Sequence, residues 1–255
     1  MHDFVVADIV NDSPDDGIKS GTSHTLGLNI GLIARHTTSS DIHFLAKAEV
    51  FLDRDKDHLD SDHIPVWFAF SFDVYGDMYR IDEQNQFKWY VAMDNKQNTV
   101  SCIERQVRQH VGVGYEFNSD AFTFDVNAYA GFYYIEFDDD TPVARGYTRQ
   151  DTDDGEASNV FEIKIKYDFS KNFACSGYAK QYSANTGMEN LERDYEILMV
   201  YKNASFLLEH SRLNFEIKHA KYSLERFFKN PPGIPILPFD NDTLFQASVT
   251  IPLNY

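Results

Sequence analysis

The stretch Asp41–Leu52, DIHFLAKAEVFL, puts Ile42, Phe44, Ala46, Ala48, Val50 and Leu52 on one side of an extended chain and His43, Lys47 and Glu49 on the other. Side chains that alternate with a period of two belong to a β-strand. A strand that is oily on one face and carries charges of both signs on the other divides an apolar environment from a polar one. The same pattern recurs along the chain. Leu26, Leu28, Ile30 and Leu32 alternate with Thr25, Gly27, Asn29 and Gly31, and Phe122 through Tyr134 alternate with Thr123, Asp125, Asn127 and Tyr129. Phe161, Ile163, Ile165 and Tyr167 stand against Glu162, Lys164, Lys166 and Asp168, and Phe245 through Tyr255 stand against Gln246, Ser248 and Thr250.

Turn residues between these runs predict about twelve strands, most of them of the nine or more residues that cross a bilayer when tilted. They fall near residues 2–10, 22–36, 41–53, 64–80, 86–96, 103–117, 121–137, 158–169, 172–183, 193–203, 212–226 and 243–255. No stretch shows a comparable helical period, although ASFLLEHS, from Ala204 to Ser211, offers one helical turn. The connectors sort by parity. HTTSSD, NSD and SKN are tight, whereas NDSPDDGIKSG, DRDKDHLDSD, the run from Asp138 to Ser158, SANTGMENLERD and KNPPGIPILPFDND are long. Short turns at one end and long loops at the other predict an all-β, antiparallel, up-and-down transmembrane barrel, with residues 1–255 as one domain. The competing fold is a soluble β-sandwich or lipocalin-like barrel with the apolar faces turned inward. Against it stand the glycines and tyrosines mixed with charges on the polar face (Gly27, Gly31, Gly112, Gly114, Gly131, Tyr75, Tyr129 and Tyr178) and the scarcity of polar residues on the apolar face.

Composition removes other classes. With 40 acidic against 23 basic side chains and a net charge of -17, the chain repels nucleic acid and offers no phosphate-binding footprint. Cys102 and Cys175 are far apart and form no C-x-x-C pair, so they imply neither a disulfide framework nor a thiolate metal site. No apolar run reaches the roughly 18 residues of a membrane-spanning helix, which leaves strands as the only way to cross. The opening MHDFVVADIV lacks a charged n-region and an apolar core; it fits a cytosolic protein or a mature form whose signal has been removed.

The chain finishes within its last strand on an aromatic residue, VTIPLNY, at the short-turn end. This resembles the C-terminal signature of Gram-negative outer-membrane β-barrels, whose closing strand ends in Phe, Tyr or Trp. Within that class HVGVGYEFNSDAFTFDVNAYAGFYYIEFDDD resembles the salt-stress-induced outer-membrane protein family, in which a Gly-Tyr strand end leads by a tight turn into a strand finishing in aromatic and acidic residues. The resemblance implies a porin-like protein of the bacterial outer membrane. Its expected partners are outer-membrane lipid and lipopolysaccharide, small polar solutes or ions, and the barrel-assembly machinery during biogenesis, with no cofactor and no nucleic acid. It transfers no functional residues.

On this topology the apolar face meets lipid and the polar face meets the lumen. The lumen-facing set is Lys47, Glu49, Asp73, Glu104, Arg108, His110, Glu116, Asp125, Glu162, Lys164, Lys166, Asp168, Glu196, Glu216 and Lys218. Rings of such charges select solutes in a narrow pore; alternatively they pair across the interior and close it, leaving an envelope-stabilising or adhesion scaffold. The adjacent inward lysines Lys164 and Lys166, with Lys47, predict a constriction that favours anions although the chain is acidic. Asp53, Asp55 and Asp57 have the opening spacing of a calcium loop, but His58 stands at the turn-glycine position and Ile64 at the bidentate-Glu position. An EF-hand is excluded, and only loose divalent-cation binding remains. A third reading, a lipid-modifying enzyme, needs a nucleophile and a base on one strand face. Ser23 with His24 and His210 with Ser211 lack that spacing, and no G-x-S-x-G or H-E-x-x-H occurs.

Overall fold

A computed structural model describes residues 2–12, 24–55, 66–98, 103–137, 153–184, 189–206, 209–223 and 241–252. They form twelve strands: β1 (His2–Asp12), β2 (His24–Thr37), β3 (Ile42–Asp55), β4 (Val66–Arg80), β5 (Asn85–Asn98), β6 (Ile103–Asn118), β7 (Phe122–Phe137), β8 (Asp153–Asp168), β9 (Phe173–Ala184), β10 (Glu189–Tyr201), β11 (Arg212–Tyr222) and β12 (Asn241–Ile251). Each strand is antiparallel to the next, and β1 closes on β12 from His2 opposite Ile251 to Asp12 opposite Asn241. Closure leaves no unpaired sheet edge, which a sheet in hydrocarbon cannot tolerate.

Residues opposite each other across a ladder share a face, so the parity set on β3 runs round the ring. Glu49 is level with Gly31 of β2 and Ala69 of β4, on the inside; Val50 is level with Ile30 and Phe68, on the outside. Burial decides which side is which. Asn29, Lys88, Gln106, Asn127, Glu162 and Glu192 are buried, while Ile30, Val50, Phe70, Val111, Phe161, Ile197, Phe215 and Phe245 are exposed. This inverts the arrangement of a soluble protein and rules out the sandwich. The apolar band ends, at the short-turn side, in paired aromatic rings: Phe87 with Tyr115, Phe117 with Phe122, Tyr167 with Phe169, and Phe173 with Tyr201, their centroids 4.8–6.4 Å apart. Such a girdle belongs at a membrane interface.

The tight turns are built from their own polar side chains. In the β2–β3 turn the Thr38 hydroxyl accepts from the amides of Ser40 and Ile42, and Asp41 takes a φ of 56°. In β4–β5 one Asp82 oxygen accepts from the amides of Gln84 and Asn85, both at 2.8 Å, and from the Asn85 side chain. Hydrogen bonds from Asn118 N to Gln84 O, Asp168 N to Ala121 O and Lys202 N to Asn172 O tie successive hairpins together along this end.

The connectors differ from expectation at three places, two at the loop end and one at the turn end. Glu189–Asp194 are strand rather than connector, so β9 and β10 are joined only through 185–188. Asp153–Ser158, read as loop, open β8. The segment 202–211 forms turns, with no helix among its described residues; Ser211 is buried and donates its hydroxyl to Ala204 O at 2.8 Å. The connectors 13–23, 56–65, 138–152 and 223–240 join strand ends opposite the hairpin turns, whereas 202–211, as long as 56–65, lies at the turn end and breaks the parity. Tyr255 and Cys102 lie outside the described residues, and Cys175, outward on β9, is a free thiol.

The interior is filled unevenly. Tyr129, Tyr133, Ile135, Val160, Tyr182, Ala184, Leu191 and Tyr222 form a buried cluster from β7 to β11, toward the loop end. Gly112 makes room for one of these rings: a Cβ there would lie 2.3 Å from Ala128 O and 2.6 Å from Tyr129 Cδ1, which no side chain tolerates.

Candidate functional site

The polar face of the strands encloses a cavity of about 620 Å³. Its wall draws on β3 (Lys47, Glu49), β4 (Asp73, Tyr75), β5 (Lys88, Tyr90, Asp94), β6 (Arg108, Glu116), β7 (Asp125, Tyr129), β8 (Glu162, Lys164), β9 (Tyr178, Lys180, Tyr182), β10 (Glu192, Asp194, Glu196) and β11 (Lys218). The period-two pattern aims these side chains inward, and most of their charges are compensated locally.

Most inward lysines hold a carboxylate. Lys47 Nζ lies 2.9 Å from Glu49, which also accepts from Asn29 Nδ2 at 3.0 Å. Lys88 pairs with Glu116. Glu162 accepts from Tyr129 Oη at 2.7 Å and Asn127 Nδ2 at 3.1 Å, with Lys164 at 3.0 Å and Lys180 at 3.9 Å. Lys218 lies 3.0 Å from Glu216 and 4.0 Å from Glu196. Lys166 reaches Asp168 at 3.4 Å near the turn end, where Asp168 also takes Lys202. Lys47, Lys164 and Lys166 therefore do not present the bare ammonium groups that an anion-favouring constriction requires. By contrast Asp73, Asp94 and Asp125 have no ion pair among the described residues, and all three border the cavity.

One network crosses the barrel. Arg108 of β6 donates to Asp194 at 3.0 Å and Glu192 at 3.2 Å on β10, to Tyr182 Oη at 2.9 Å on β9, and to Gln106 Oε1 at 2.8 Å. Gln106 Nε2 donates to Glu192 at 2.9 Å and to Tyr133 Oη, and Tyr133 Oη donates to Glu192 at 2.7 Å. The guanidinium also lies over the Tyr182 ring, 4.7 Å from its centroid. Planar, multidentate Arg geometry suits such a site.

The other expected residues divide. His110 faces inward, but its Nε2 is 2.8 Å from Ser158 Oγ in the packed part of the interior, with no orienting carboxylate bonded to the ring among the described residues. Glu216 acts through Lys218. Glu104 falls at a register irregularity between Ile103 and Arg105, and its side chain is outside the described set. Asp53 and Asp55 end β3 with side chains also outside it, as is Asp57 altogether. Sequence reading missed Lys88, Lys180, Gln106, Glu192 and Asp194. Strand parity alone would have found Lys180, which shares its face with Tyr178 and Tyr182.

No family model matches the chain, and no curated protein sequence matches it. Solved structures do. The NanC porin superposes with a TM-score of 0.53 at 10% identity, covering 98% of this chain and 100% of that one. The COG4313 outer membrane channel from Pseudomonas putida F1 superposes with 0.52 at 7% identity, covering 98% and 95%. At such identities the likeness is one of fold: the chain is an all-β, antiparallel up-and-down barrel, as those two channels are.

Proposed function

We propose that the protein is a narrow channel of the bacterial outer membrane that passes small polar solutes or ions, with outer-membrane lipid and lipopolysaccharide around it and the barrel-assembly machinery as its partner in biogenesis. The observation that carries this reading is the cavity of about 620 Å³, walled by charged and tyrosine side chains inside a barrel whose outer face is apolar. Asp73, Asp94 and Asp125 give the wall a surplus of negative charge and make it a path for cations or neutral polar molecules more than for anions. No catalytic chemistry belongs to the proposal. The test is swelling of proteoliposomes in isosmotic solutions of small sugars: rates that fall with solute size support a channel, and swelling no faster than that of empty vesicles contradicts it.

The network from Arg108 to Glu192 and Asp194 favours a second reading, a closed barrel that serves as an envelope scaffold. A folded barrel that neither swells vesicles nor conducts, natively or with Arg108 removed, would establish it.

A further inference from the structure

Among the described residues the outer surface carries, on β9 to β12, a polar row that lipid hydrocarbon does not explain. Gln181 of β9, Arg193 of β10, Lys221 of β11 and Asn241 of β12 are successive register partners, so they stand side by side on the outside of four adjacent strands. Arg193 and Lys221 are directly opposite and both exposed. Neither has an ion pair among the described residues, and the nearest carboxylate position along the row is Asp12 of β1, opposite Asn241 and two strands from Lys221. Residues facing each other across an antiparallel pair have Cβ atoms roughly 5 Å apart, and like charges at such positions repel. Isolated, such a pair is a cost to the fold; around an anion it becomes a two-point clamp.

The rows beneath say which anion. One step toward the barrel middle are Tyr195, stacked with His219 at 6.2 Å, and Thr243, whose hydroxyl is 2.8 Å from His219 Nδ1. One further step are Ile197, Ile217 and Phe245, with Met199 and Phe215 below, all exposed. The sequence of rows, from cationic through amphipathic aromatic to apolar, follows a lipid molecule from headgroup to chains. The row lies at the loop end, where β9 joins β10 through 185–188.

We infer that Arg193 and Lys221 form a binding site for the terminal phosphate, a phosphomonoester, of an anionic membrane lipid headgroup, whose chains run down over Ile197, Ile217 and Phe215. Gln181, whose Nε2 donates to Ser183 Oγ at 3.1 Å, and Asn241 flank the clamp with polar side chains. The inference rests on the reading of the outer face as lipid-facing, and it names a headgroup chemistry that the channel reading does not require.

The experiment is native mass spectrometry of the detergent-solubilised full chain with phosphatidic acid or phosphatidylcholine, run beside insertion into phosphatidylcholine vesicles. The native barrel is expected to retain phosphatidic acid at least ten-fold more strongly than phosphatidylcholine. Arg193→Gln with Lys221→Gln should abolish the difference, while Lys171→Gln, an exposed lysine at the turn end, should leave it intact. Equal retention by the native chain, or undiminished retention by the double variant, would overturn the site. Displacement of phosphatidic acid by millimolar inorganic phosphate alone would overturn the lipid as its occupant. Failure of all variants to enter phosphatidylcholine vesicles would instead count against the lipid-facing exterior, and so against the channel reading.

Discussion

Arg108 is the side chain on which the interior most depends. It is nearly buried, with 14% of its side chain exposed, and it faces Glu192 at 1% and Asp194 at 15%. Removing one partner of a buried ion pair leaves an uncompensated charge and costs about 3–5 kcal/mol. Arg108→Ala should therefore lower unfolding stability in lipid vesicles by that order, and adding Glu192→Gln and Asp194→Asn should recover most of it. An Arg108→Ala loss below about 1 kcal/mol, the range of exposed pairs, would show that the network is solvated. Asp82 provides a test at the turn end. Hydrogen bonds from the Asn85 side chain and from the amides of Gln84 and Asn85 hold its carboxyl below the ordinary range. A depressed folded value means that this stabilisation is present above the unfolded pKa and is lost as pH falls through the folded one. A carboxyl-carbon NMR titration should place the Asp82 midpoint below about 3.9, the value for an unstructured aspartate; a midpoint at or above it contradicts the cap. Residue facing was legible in the sequence for Lys47, Glu49, Lys164 and Lys218, because parity fixes the side of the wall. Their partners were not, since Glu162 with Lys180, or Arg108 with Glu192, depends on register and on distance across the lumen.

The strands themselves were almost fully legible, because in a barrel wall every strand is apolar on one face along its length. The two strand ends misread as connector have one cause. Runs such as NLERD in β10 and DDGEAS in β8 are dense in charge and small residues, which in a soluble protein marks a loop; here they line a polar interior or the loop-side rim, so strand and loop share a composition. The two faces predict different tolerance to charge. Ala128 is exposed on the outer face midway along β7, whereas Ser71 points inward on β4, opposite Asp94. Ala128→Arg should cost about 2–4 kcal/mol of folding free energy in phosphatidylcholine vesicles, and Ser71→Arg less, since it adds a cation beside Asp73 and Asp94. Equal penalties at Ala128 and Ser71 would reverse the assigned faces.

At the scale of the whole molecule, a closed ring with an apolar exterior and a charged interior leaves two outcomes, a conducting lumen or a filled one. The buried cluster and the Arg108 network occupy the β6–β11 side near the loops, and the cavity runs beside them past Asp73, Asp94 and Asp125. On the proposed channel reading, a path past carboxylates that have no ion pair among the described residues favours cations over anions. The most direct test is single-channel recording of the purified barrel in a planar bilayer under a potassium chloride gradient. The account predicts discrete conductance steps with a reversal potential on the cation-selective side, a selectivity reduced by Asp73→Asn with Asp94→Asn and left in place by Lys164→Gln with Lys166→Gln. A folded, inserted barrel that gives no steps in native form or as Arg108→Ala, or one that conducts with anion preference, would contradict it.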